Sequence, residues 1–251
     1  RRQRQMCIRD SLIVMSIFTL LPLCLVRPFN PKNNPLLMKT FNWYMSHLLG
    51  MYVHVEGEDI IKETHPGIMI GNHQHNYDAF TVCKLFITKT VVLAKAELGL
   101  IPVFGQIYSL CGNIFIRRGN RKKVQKSIQS IEQKIKDDEL SVLIFPEGHR
   151  NLKDTLLPFK KGAYFTAVNA QMPLIPFSIS QYMKLNNFSK IGKIHIYIKV
   201  HPPISTKGKT TGDITELIKE SREVIQAGVT EMNEKHLANH SQVKASKLSL
   251  S

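Results

Sequence analysis

From residue 51 onward short apolar runs alternate with longer amphipathic stretches. MYVHVEG (51–57) alternates apolar and polar positions at period two. GIMIG (67–71), VVLAK (91–95), NIFIR (113–117), SVLIF (141–145) and LIPFSIS (174–180) are short, β-rich and continuous, as strands covered on both faces are. KIHIYIKV (193–200) sets Ile194, Ile196 and Ile198 against polar neighbours, the pattern of a half-exposed strand. Between them, RKKVQKSIQSIEQKIKDD (121–138) spaces Val124, Ile128, Ile131 and Ile135 as one stripe of a helix with a basic outer face. DITELIKESREVIQAGVTEM (213–232) repeats the pattern with Ile214, Leu217, Ile218, Val224, Ile225 and Met232. Together these elements predict one α/β domain over 51–236, a mostly parallel mixed sheet flanked by helices, followed by a loose polar tail over 237–251.

The N-terminal part reads differently. Residues 1–11, RRQRQMCIRDS, have the look of translated sequencing adapter and are expected to be a non-native leader. LIVMSIFTLLPLCLV (12–26) is nearly all apolar. As a helix it covers roughly 22 Å, short of a hydrocarbon core of about 30 Å. No small-x-small cleavage site follows it; Arg27, Pro28 and Phe29 do. In the next stretch Leu36, Leu37, Phe41, Trp43, Tyr44, Leu48 and Leu49 are spread around a helix, with aromatic rings suited to the lipid–water boundary. The expectation is a hydrophobic, membrane-associating hairpin over 12–50, against the blander alternative of a helical hairpin that packs on the core.

Charge narrows the partners. Lys and Arg outnumber Asp and Glu by 34 to 19, a net charge of +15. Such an excess favours polyanions: nucleic acid, anionic lipid, or an acidic carrier or substrate. With no RNA-binding signature, zinc-finger spacing or basic zipper, nucleic acid is not expected as a partner and an anionic membrane surface is. Cys7, Cys24, Cys83 and Cys111 form no C-x-x-C pair, which fits free thiols in a reducing compartment.

After the apolar Ile68, Met69 and Ile70, the chain bunches Asn72, His73, Gln74, His75, Asn76, Tyr77 and Asp78. This cluster falls where a strand ends and a helix begins, the place where open α/β sheets bind ligands. His73 and Asp78 would lie about 140° apart on one helix. With His73 on the turn and Asp78 in the first helical turn they can touch. A carboxylate on one imidazole nitrogen leaves the other as a base and stabilises the cation that forms. No G-x-S-x-G elbow accompanies them, so the hydroxyl to be activated must come with the substrate.

N-H-x-x-x-x-D at Asn72 to Asp78 resembles the first motif of the glycerolipid acyltransferases. GNIFIRR (112–118), FPEGHR (145–150) and MPLIPFSI (172–179) are similar to that family's second, third and fourth motifs, in its order. LAKAELGLIPVFGQIYSLCGN and LLPFKKGA also look familiar, and the likeness spans roughly residues 50–205. One H-x-x-x-x-D is a weak signal; four motifs in order are highly specific. The resemblance implies transfer of a fatty acyl group from acyl-CoA or acyl-carrier protein to the sn-2 hydroxyl of lysophosphatidic acid, giving phosphatidic acid, with no cofactor and no metal. It further implies a membrane-associated enzyme at the cytoplasmic face of a bacterial inner membrane. Residue by residue, His73 is implied as general base and Asp78 as its orienting partner. Lys95, Arg118, Glu147, Gly148 and Arg150 are implied to form the glycerol phosphate site, with Pro176 packed against it. Bidentate guanidinium groups and an ammonium do suit a phosphate monoester, and a glycine permits close backbone approach. Two positions depart from the family pattern: His149 stands where Thr is usual and Arg117 where Asp is common.

Two rival readings remain at this stage. The nearest metallohydrolase pattern, H-x-H-x-D-H, needs Asp and His where the chain has Tyr77 and Asp78. A non-catalytic lipid-binding module would leave His73 and Asp78 without a role.

Overall fold

Four consecutive buried residues make the central strand β2 (Ile68–Gly71), and their side chains divide between two cores. Ile68 and Ile70 join one apolar cluster and Met69 the other, as period two requires of a sheet covered on both faces. The structure, a computed structural model, describes residues 21–47, 50–87, 89–116, 133, 135, 137–186 and 193–248. The sheet is completed by β1 (Met51–Glu56), β3 (Thr90–Lys95), β4 (Ile114–Ile116), β5 (Ser141–Ile144), β6 (Leu174–Ile179) and β7 (Ile194–Val200), in the order β1-β7-β6-β2-β5-β3-β4. The five strands from β6 to β4 run parallel. β7 is antiparallel to β6 and parallel to β1. Each apolar run of the domain has become a strand of this mixed sheet.

Helices cover both faces. α1 (Leu21–Val26), α2 (Asn33–His47), α3 (Glu58–Glu63), α4 (Asp78–Thr81) with the 3₁₀ turn Val82–Leu85, α5 (Phe104–Leu110) and α7 (Tyr182–Leu185) supply buried side chains to the Met69 cluster. α6 (Gly162–Ala170) and α8 (Ile214–Leu248) supply the cluster of Ile68 and Ile70. On α8 the buried positions Ile214, Leu217, Ser221, Ile225, Val229, Met232 and His236 recur at helical spacing. Thr210 and Asp213 form a capping box just before it. The helix runs on to Leu248, through most of the polar tail expected over 237–251, of which 249–251 lie outside the described residues. MNEKHLANHSQVKASKL holds no Pro or Gly to stop it, and its Ala, Lys and Gln favour helix.

Of the expected hairpin, α1 and α2 are described, while residues 1–20 and 48–49 lie outside the described residues. α2 buries Leu37, Met38, Phe41, Tyr44 and Met45 against the sheet. Asn34 fastens it there: the Asn113 amide donates to Asn34 Oδ1 (3.0 Å), and Asn113 Oδ1 accepts the Val92 N–H of β3 (2.9 Å). The opposite side leaves Leu25, Phe29, Leu36, Val26 (77% exposed) and Trp43 (55%) in contact with solvent. In the described part of this segment one side packs on the core and the other stays apolar and open. Among the described residues, no helix is long and apolar enough to cross a membrane.

Cys24, Cys83 and Cys111 are free and buried, and the Cys24 and Cys111 sulfurs approach to 3.4 Å. Cys7 and nearly all of the amphipathic stretch 121–138 lie outside the described residues; its Ile135 is buried.

Candidate active site

The polar run begins one residue after β2 ends. Extended backbone sends alternate side chains to opposite sides, and here that separates the anchors from the chemistry. Asn72 donates to the Ile179 carbonyl (2.9 Å) and accepts the Ile179 N–H (2.7 Å). Gln74 donates to the Ser180 carbonyl (2.8 Å). Both grip the end of β6, and His73 between them turns the other way. Gly71 permits this approach: a Cβ there would fall 2.3 Å from the buried Phe177 ring.

Asp78 opens α4 and folds back on the loop. Its Oδ2 accepts from His73 Nδ1 (2.7 Å), Gln74 N–H (2.6 Å) and His75 N–H (3.0 Å). Its Oδ1 accepts from the Tyr182 hydroxyl (2.6 Å). All four partners are donors to a carboxylate that is 0% exposed, so Nδ1 of His73 carries the hydrogen and Nε2 the lone pair. The His73 ring lies flat on Phe145, 4.3 Å between centroids at 16°, and its side chain is 23% exposed. The sequence-predicted pair therefore meets, with the basic nitrogen across the ring from its anchor.

The FPEGHR loop leaves β5, the neighbour of β2, and holds the same histidine by its backbone. Glu147 Oε1 accepts the His73 N–H (2.9 Å), and the Asn151 N–H donates to the His73 carbonyl (2.8 Å). Glu147 Oε2 accepts from Leu157 N–H (2.9 Å) and the Asn151 amide (3.3 Å). Only 2% exposed, Glu147 spends both oxygens inside the protein. Its carboxyl is held above its usual range by burial, against the pull of the His73 and Leu157 N–H groups and the Asn151 amide. Glu147 thus lies beneath the 72–78 loop and is bonded to its backbone.

Gly148 adopts φ +67°, open to glycine at little cost, and its N–H donates to the Phe145 carbonyl (3.1 Å). A Cβ there would sit 2.7 Å from Nζ of Lys160, so that exposed lysine lies over the loop. Arg150, also exposed, donates to Asn76 Oδ1 and links the two loops. His149 is exposed beside it. Lys95 ends β3, two strands from β2; its side chain, Arg117 and Arg118 lie outside the described residues. Pro176 sits within β6 opposite Ile70, below the rim, and the ring that meets Phe145 from the sheet is Phe177, with centroids 6.1 Å apart. Sequence reasoning missed Tyr182, Lys160 and Asn151; of these only Lys160 had a signal, the familiar LLPFKKGA.

Among the described residues no group of three or more His, Cys, Asp or Glu is arranged to hold a metal ion. Burial pushes the Cys83 thiol far up, which leaves it no thiolate character. What remains is an imidazole bonded to a buried carboxylate at the carboxyl ends of parallel strands, an arrangement chemically able to accept a proton from a group that a substrate brings. The chain belongs to the acyltransferase family, whose family model, described as Acyltransferase, matches residues 52–180. Over 209 residues it is 32% identical to the 1-acyl-sn-glycerol-3-phosphate acyltransferase of Haemophilus influenzae, covering 83% of this chain and 87% of that one. Its identity to the enzyme of the same name from Escherichia coli is 31% over 210 residues, 84% and 85% of the two chains. The fold matches the crystal structure of the 1-acyl-sn-glycerophosphate (LPA) acyltransferase PlsC from Thermotoga maritima, with a TM-score of 0.65 and 24% identity over 89% of this chain and 96% of that one.

Proposed function

We propose that the protein transfers a fatty acyl group from the thioester of acyl-CoA or acyl-carrier protein to the sn-2 hydroxyl of 1-acylglycerol 3-phosphate. His73 Nε2 takes the hydroxyl proton as the oxygen attacks the thioester carbonyl. Asp78 holds Nδ1 and balances the imidazolium. The tetrahedral intermediate expels the thiolate, the imidazolium returns the proton to it, and phosphatidic acid and a free thiol leave. No acyl-enzyme and no metal is required. The observation that carries this reading is the 2.7 Å contact of His73 Nδ1 with a carboxylate otherwise saturated by donors. General-base help contributes about 10² to 10⁴-fold, and positioning of the two substrates the larger share of the rest.

The phosphate of the acceptor is assigned to Arg150 and Lys160 on the rim and to Lys95 and Arg118, which end or follow the parallel strands β3 and β4. Glu147 and Gly148 shape the loop that presents these cations to the substrate. The apolar side of α1 and α2 sits in the lipid interface, and the net charge of +15 draws the protein to anionic membrane.

The deciding experiment incubates membranes carrying the protein with labelled acyl-CoA or acyl-carrier protein and a panel of lysolipids, beside His73→Ala. Label should enter phosphatidic acid from lysophosphatidic acid, survive excess EDTA and vanish in the variant. Full transfer by His73→Ala would reject the mechanism, and a preference for a lysolipid without a phosphate monoester would reject the acceptor.

A further inference from the structure

Three of the four donors on Asp78 come from the 73–75 segment: the His73 ring and the N–H groups of Gln74 and His75. The fourth comes from 104 residues further along the chain, the hydroxyl of Tyr182 on α7. Tyr182 is fully buried, and its hydroxyl meets the one carboxylate oxygen that the 73–75 segment leaves without a donor. We infer that Tyr182 is a positioning residue of the reaction, fixing the Asp78 carboxylate by Oδ1 and so setting how strongly its other oxygen draws the proton on His73. The inference rests on His73 as the base.

A buried carboxylate facing an imidazole has two ways to fail. It can rotate about its Cβ–Cγ bond and lose alignment with Nδ1, or it can hold the imidazolium so firmly that the base stays occupied. The phenol opposes both. Its bond fixes the carboxylate plane, and its dipole takes up part of the negative charge that would otherwise act on the ring. The donor is permanent, because burial and the charge of Asp78 hold the Tyr182 hydroxyl well above its ordinary range.

Neighbouring bonds hold α7 in place. The Gln181 N–H donates to Asn233 Oδ1 on α8 (2.7 Å), the Asn233 amide donates back to Gln181 Oε1 (3.1 Å), and Gln74 bonds the Ser180 carbonyl (2.8 Å). Among the described residues, the titratable and charged groups set around the His73–Asp78 pair are Glu147 below the loop, His75 and Tyr77 on it, Tyr182 on α7, and Arg150 through Asn76. Of these, Tyr182 is the one that bonds Asp78 from outside the loop.

The test is the pH–rate profile of acyl transfer by Tyr182→Phe in membranes. Loss of the hydroxyl strengthens the pull of Asp78 on the imidazolium, so the acid limb moves to higher pH by roughly half a unit to one unit. On that limb the rate falls about 3- to 10-fold, and above it the rate stays close to that of the parent. The downfield proton signal of the His73 Nδ1–H···Oδ2 bond, read in detergent, moves with it and needs no turnover. Gln181→Ala loosens the same helix but keeps the phenol, and leaves the limb and the signal where they were. If Tyr182→Phe does not fold, site-specific 3-fluorotyrosine at position 182, a stronger donor of nearly the same size, moves the limb to lower pH. An unmoved limb and signal, or an equal shift in Gln181→Ala, overturns the assignment. His73→Ala separates the two layers: if it abolishes transfer while Tyr182→Phe leaves the limb in place, only the role of Tyr182 falls.

Discussion

Two loops meet over the end of the sheet, 72–78 after β2 and 145–151 after β5, and each carries a buried carboxylate that holds His73. Asp78 holds the imidazole ring; Glu147 holds the backbone N–H of the same residue. Asp78 has the ring and three other donors around it, whereas the donors on Glu147 are two backbone N–H groups and the Asn151 amide. Similar burial therefore serves different ends. In the proposed mechanism one carboxylate balances the charge that appears during turnover, and the other keeps the base at a fixed place in the site. Substitutions should separate them, the first through rate and the second through stability and geometry.

The largest effect is expected from His73→Ala, which should lower initial rates in membranes by about 10² to 10⁴-fold or more with the fold intact. Asp78→Asn keeps a carbonyl for the loop donors but removes the charge. Its turnover should fall by about 10²-fold with the apparent affinity for the acceptor little changed, read by separating kcat from KM. Glu147→Gln sets an amide NH₂ against an N–H donor. It should cost roughly 1–3 kcal/mol, seen as a Tm lower by about 2–4 °C per kcal/mol, with a smaller loss of rate than Asp78→Asn. Were Glu147→Gln to lower turnover as far as Asp78→Asn with no change in Tm, the division between the loops would fail. Arg150→Ala should raise the KM for a phosphate-bearing acceptor a few-fold and leave turnover nearly constant, measured with lysophosphatidic acid as the varied substrate.

The smallest effect lies outside both loops. Buried His201 bonds Ser178 Oγ at 2.8 Å, and burial, with Lys199 adding to it, holds its imidazole below the ordinary range. The folded form then binds fewer protons than the unfolded chain. Stability from this residue is complete above the unfolded value near 6.5 and is lost as pH falls from there through the folded value. Tm should decline on acidification through that window, and His201→Asn should flatten the slope.

Much of this was legible in the chain. Alternation marked two of the seven strands and short continuous β-rich runs the other five, because covering both faces of a sheet leaves that local signature, and bunched polar residues marked the turn between β2 and α4. The His73–Asp78 pair was readable for a related reason: five positions across a strand-to-helix turn bring two side chains together without help from distant sequence. Tyr182 was not readable, since its partner stands 104 positions away and SQYMK has no pattern that points to it. The glycerol phosphate role of Glu147 came from the resemblance alone. Only the packed loop reveals that its oxygens are taken. The tail after residue 236 looked loose because it is polar, yet α8 continues to Leu248 through residues that favour helix.

The strand order separates two kinds of change. β6, β2 and β5 lie side by side and bear Tyr182, His73 with Asp78, and Glu147 at or just beyond their ends, whereas β3 and β4 occupy one margin and bring two of the four cations proposed for the headgroup, Lys95 and Arg118. A graft of β3–β4 end segments from a relative with another lipid preference would leave every bond of the central trio in place. The share of acceptor choice proposed for Lys95 and Arg118 could thus be exchanged as a cassette while the proposed proton transfer stays as it is.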